Sequence, residues 1–131
     1  MKSTIARCIA GILLAATACA SAADPLDGYR AAGAGPFSAA AGKAAWNTEH
    51  RPSSGEGARS CASCHGTDLG KPGRHVKTGK PIEPMALSVN PARLGDPEKV
   101  ATWFRRNCRW TLGRDCTPQE KGDFVQFMIS E

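Results

Sequence analysis

Residues 61–65 read CASCH, and that spacing constrains the chain more than any other feature it carries. Two thiols three positions apart on one turn of helix, with an imidazole directly after them, match the C-x-x-C-H pattern of covalent haem attachment. Such thiols reach two vinyl groups along one porphyrin edge, and the histidine then stands below the iron with a neutral nitrogen to offer. Two other readings use the same residues. A redox C-x-x-C belongs with a βαβ pattern, which the flanking sequence lacks. A zinc site needs a second tight pair, whereas Cys108 and Cys116 stand eight positions apart. The motif thus assigns Cys61 and Cys64 to thioethers with one haem c and His65 to the proximal side of its iron.

The N-terminus bears on the compartment. Lys2 and Arg7 precede a short apolar run, IAGILLAATA at 9–18, and ASA at 20–22 is a small-residue cleavage site. This is the pattern of a secretory signal peptide spanning 1–22, too short for a stable membrane span. Lipidation at Cys19 is the competing reading, but Ala16 stands where a leucine is usual. Cleavage before Ala23 leaves 109 of the 131 residues, enough for one domain (23–131) in the periplasm. The net charge of +5 falls to +3 with Lys2 and Arg7 removed, too mild and scattered to argue for nucleic acid. Cys8 and Cys19 leave with the signal, so four cysteines remain as two pairs, an even count that suits an oxidising compartment.

The rest of the chain reads as helix and coil. Asp24 with Pro25 predicts a first helix over 24–31, and Ser38 caps a second over 38–49. Residues 66–91 carry Pro72, Pro81, Pro84 and Pro91 with Gly70, Gly73 and Gly79, the composition of extended coil. Asp96–Pro97 opens a third long helix. Thr117–Pro118, with Glu120 completing a capping box, opens a fourth. No strand pattern is expected.

Within the helix from Pro97, Val100, Trp103, Phe104 and Asn107 fall at i, i+3, i+4 and i+7, one face of a 3.6-residue period. An amide in an apolar stripe is costly without a partner. The plainer alternative is that Asn107 caps the helix end. In the last helix, Phe124, Phe127 and Met128 read as core rather than ligands. His50 and His75 lie in polar loops and read as solvated, although a coil folded over the iron would bring His75 near. Arg105, Arg106, Arg109 and Arg114 form either a solvated rim or a face toward haem propionates or an acidic redox partner.

Four segments taken together, CASCHG, TGKPIEPMALSVNPARL, VATWFRRNC and LGRDCTPQEK, resemble the sphaeroides haem protein family of oxygen-binding c-type cytochromes over roughly 60–128. The resemblance implies an all-α, class I cytochrome c-like fold with one covalent haem. It also implies a second iron ligand at the asparagine just before the first cysteine of a disulfide. That asparagine matches Asn107, and the disulfide matches Cys108–Cys116. A related methylotroph cytochrome resembles the same stretch with histidine at the asparagine position. This chain departs from the family pattern at Arg109 and Trp110, and at Met85, where an aliphatic residue is usual.

An amide oxygen is a hard, weak donor that suits ferric iron better than ferrous. Reduction would loosen it and open a position for O₂, NO or CO, whereas a soft thioether favours the ferrous state and plain electron transfer. The expectation is therefore a gas-binding cytochrome with Asn107 as labile ligand, given electrons, as the resemblance implies, by a dihaem cytochrome c and a membrane cytochrome b. The alternative is an ordinary electron carrier with His65/Met85 ligation, although Met85 follows His65 by a short twenty residues. A haem enzyme acting on NO, O₂ or peroxide ranks third, since no distal acid–base pair is evident.

Overall fold

Two proline-headed helices supply most of the framework. In the computed structural model, which describes residues 23–53, 55 and 57–131, α1 spans Asp27–Ala31, α2 Ala39–Asn47, α3 Ala62–His65, α4 Pro97–Leu112 and α5 Pro118–Ser130. The signal peptide expected at 1–22 lies outside the described residues. Asp96 caps α4 by accepting from the Lys99 amide at 3.0 Å, and Gly113 ends the helix with a left-handed φ of 75°. Thr117 and Glu120 close the expected capping box on α5. Ser38 caps α2 through the Ala41 amide at 3.1 Å.

The close crossing of α2 on α5 depends on Gly42. A Cβ there would run into the Asp123 carbonyl of α5, so a larger residue would force the helices apart. Above the crossing lies the core: Trp46 from α2, Phe124, Phe127 and Met128 from α5, Cys108 from α4, and Leu69, Met85 and Ala86 from the coil. Trp46 meets Phe124 and Phe127 edge-on, each at 6.1 Å between ring centroids.

The expected all-α class holds, with two local differences. Asp24 does not cap a helix. Its carboxylate accepts from the Leu26 amide and binds Arg30, and α1 begins three residues later behind Leu26, which makes no side-chain cap. A small hairpin also forms where no strand was expected. Its strands β1 (Gly73–Arg74) and β2 (Pro81–Ile82) pair antiparallel with Gly73 opposite Ile82. Two residues per strand are too few to show an alternating pattern. The coil beyond is held by backbone bonds. The Leu69 carbonyl accepts from both Met85 and Ala86 at 2.9 Å, and the Leu87 amide donates to Met128 of α5 at 3.1 Å.

Candidate haem-binding site

The CASCH turn is held from three sides. The Trp46 indole donates to the Gly66 carbonyl at 2.9 Å, and its ring lies 5.3 Å from that of His65. Gly73 of the hairpin packs so closely that a Cβ would collide with the Cys64 carbonyl and the His65 Cα. Upstream, His50 and Arg59 exchange backbone hydrogen bonds of 2.8 and 3.0 Å, and the Arg59 guanidinium sits 4.4 Å over the Trp110 ring of α4.

α3 therefore faces a cavity lined mostly by apolar and aromatic side chains, the kind of lining that cofactor sites have. One wall is Cys61, Cys64 and His65. The opposite wall is the α4 stripe, Val100, Trp103, Phe104 and Asn107, and α5 adds Phe124 and Met128. Both candidates for a second iron ligand border this space. Met85 is buried, while Asn107 is exposed at its edge. Asn107 lies five residues short of the end of α4, so it is not the helix cap. Its exposure also spares it the cost of burying an amide that its place in the stripe led us to expect.

Cys108 and Cys116 are joined as a disulfide, which removes them as thiolates for a zinc site. Cys61 and Cys64 are unpaired. Burial pushes the Cys61 thiol up to about 11, the reverse of the lowered pKa that a redox C-x-x-C nucleophile needs. Burial, with Arg93's positive charge adding to it, pulls the His65 imidazolium down to about 4, so the ring is neutral at ordinary pH and fit to bind a metal. The His65 Nδ1 is buried without a hydrogen-bond partner. Two free thiols, a neutral imidazole and an aromatic-lined cavity suit a covalently held haem.

His50 and His75 do not border the cavity. His75 turns its Nδ1 to the Thr78 amide and hydroxyl, at 3.2 and 3.1 Å. Of the arginine cluster, Arg109 is bound to Asp115 and Arg114 to Glu120, both on the exposed surface, and none of its four members lines the cavity. The cavity's cation is Arg93, which the sequence reading passed over. A lone arginine in coil carries no periodic signal; only its place in the PMALSVNPARL segment could have drawn notice.

The cytochrome c-type protein SHP of Cereibacter sphaeroides is 38% identical over 114 residues, covering 85% of this chain and 84% of the relative. The chain belongs to the sphaeroides haem protein family. A family model described as a domain of unknown function (DUF1924) matches residues 32–128. Cytochrome c'' of Methylophilus methylotrophus is 39% identical over 90 residues, 69% of this chain and 62% of that protein. Among solved structures, oxidised SHP, described as an oxygen-binding cytochrome c, superposes with a TM-score of 0.71 at 36% identity, over 82% of this chain and 94% of that one. Oxidised cytochrome c'' from M. methylotrophus gives 0.71 at 34% identity, over 82% and 91%. This member of the sphaeroides haem protein family accordingly has the all-helical cytochrome c fold, and its cofactor is covalently attached haem c.

Proposed function

We propose that the protein is an exported, mono-haem c-type cytochrome that binds a small diatomic ligand in its reduced state and exchanges electrons with other cytochromes. Cys61 and Cys64 hold the haem through thioethers, and His65 offers its imidazole to the iron. The haem, when bound, supplies a redox-active iron whose ferrous form takes O₂, NO or CO. Asn107 is the second protein ligand. Its amide oxygen favours the ferric state and lets go on reduction. The observation that carries this reading is that His65 and Asn107 border one cavity, with Asn107 inside α4 directly before a disulfide-bonded cysteine. The disulfide limits how far the Asn107 backbone can drift once its side chain is released, so the ligand can return. An oxygen-binding relative of the same fold supports the gas-binding role.

Residues 1–22 act as the export signal, and the mature domain starts at Ala23 and works in the periplasm. No described helix is long and apolar enough to cross a membrane. A dihaem cytochrome c and a membrane cytochrome b are the electron donors. A second reading has a specific observation in its favour: Met85 is buried and borders the same cavity, as a thioether ligand of an ordinary electron carrier would.

Optical spectra of the holoprotein separate the two. Asn107→Ala is expected to change the ferric spectrum to a water-bound or five-coordinate form, Met85→Leu to leave it unaltered, and the native ferrous protein to bind CO rapidly. A sulfur-to-iron charge-transfer band that disappears in Met85→Leu, with slow or absent CO binding, would overturn the assignment.

A further inference from the structure

Arg93 is a charged side chain facing an otherwise uncharged cavity. Among the described residues that border this space there is no Asp, Glu or Lys. The guanidinium lies 4.4 Å over the Trp103 ring, and its Nε is buried with no hydrogen-bond partner. Lys99 approaches the same ring at 5.1 Å, so the indole is already shared between two cations. Glu83 acts on Arg93 through space and partly offsets the cost of desolvation. Desolvation pulls the guanidinium's own pKa below its ordinary value, a sign that the charge is held at a cost.

The placement is built by the backbone. Arg93 donates its amide to Asn90 at 3.0 Å. Asn90 is fixed in turn by its amide to Ala86 at 2.9 Å and by its side chain to Pro84 at 3.1 Å. A half-buried cation held in this way needs an anion, since a desolvated charge is tolerated only when paired. The described residues that border the cavity provide none. A haem carries two propionate carboxylates, and a carboxylate is the anion whose shape fits the guanidinium fork.

We propose that Arg93 is the counter-charge for a propionate of the bound haem. The assignment rests on the haem-attachment reading above and adds a residue that neither the C-x-x-C-H motif nor the candidate axial ligands involve. Arg93 is a positioning and charge-balancing residue rather than an iron ligand. Its positive charge disfavours the ferric state, and its removal, leaving a bare carboxylate, favours it.

Two variants of the full-length holoprotein test this, read by redox potentiometry and by the propionate bands in resonance Raman spectra. Arg93→Met keeps an apolar stem over Trp103 and loses the charge. It is expected to shift the ferric/ferrous equilibrium toward ferric on the order of tenfold, which is 59 mV for a one-electron couple, and to move the propionate bands. Arg93→Lys keeps the charge and loses the fork, so the equilibrium should change less than about threefold while the bands still move. Unchanged bands in both variants, or a wild-type potential in Arg93→Met, overturn the proposal. Should Arg93→Met yield no holoprotein, the bands of Arg93→Lys alone decide: moved, they support the pairing; unmoved, they refute it. Acid–acetone extraction of the wild-type protein is the separate check, because haem released there would end the attachment reading whatever the Arg93 variants do.

Discussion

Trp46 and Gly66 are twenty residues apart in sequence and joined by a 2.9 Å hydrogen bond, so the second helix anchors the residue that ends the haem-binding turn. Trp46→Phe removes the donor while keeping an aromatic ring against Phe124 and Phe127. Urea unfolding should show a loss of about 1–2 kcal/mol. An unchanged midpoint would mean that the turn does not depend on this anchor.

The hairpin contact can be tested by adding one carbon. At Gly73 the obstacle to a methyl is backbone, the Cys64 carbonyl and the His65 Cα, which cannot rotate away. Gly73→Ala should cost about 1–3 kcal/mol and reduce the yield of haem-loaded protein. Gly28 has open space around it and sits in α1, so Gly28→Ala should be neutral or stabilising by up to about 1 kcal/mol. Equal losses in the two variants would remove the claim that the Gly73 contact is special.

The contrast between these glycines shows where sequence reading works and where it stops. Asp96–Pro97 and Thr117–Pro118–Glu120 announced α4 and α5 because capping is local chemistry written within four residues. The Val100–Trp103–Phe104–Asn107 stripe was legible as one face of a helix because helix period is local too; that this face borders a cavity was not. Asp24 misled because it has a use the sequence does not show, as acceptor for the Leu26 amide and partner of Arg30. Gly73 and Arg93 were illegible for a different reason. The importance of each comes from a contact many residues away, with the haem-binding turn in one case and Trp103 in the other.

The Cys108–Cys116 bridge should show in both chemistry and stability. Thiol labelling of the denatured, unreduced holoprotein should find no free sulfhydryl. With the two cysteines eight positions apart, replacing both by alanine should cost about 2–3 kcal/mol on the loop-entropy model. Two labelled thiols in the native protein would contradict the bond directly.

Acid stability should carry the signature of Glu120. The Arg114 guanidinium, and after it the Thr117 amide, hold this carboxyl at about 2 against an ordinary value of 4.5. The folded pKa is the lower one, so the unfolded chain takes up the proton first. The stabilisation is therefore complete above about pH 4.5 and is lost as the pH falls toward 2. Glu120→Gln should flatten the fall in stability across that interval and leave the alkaline side unaltered. Thr117→Ala, which removes the other half of the capping box, should cost about 1 kcal/mol at neutral pH. A native-like acid slope in Glu120→Gln would place the sensitivity elsewhere.

The crossing of α2 on α5 also sets an order of events in time. A chain made from its N-terminus presents Gly42 and Trp46 first, the CASCH turn next, and Phe124, Phe127 and Met128 last of these. Until those last residues arrive, Trp46 has no aromatic neighbours from α5, and the cavity lacks the wall that Phe124 and Met128 provide. The thiols of the attachment turn thus face a space that stays open on one side until the final helix packs against α2.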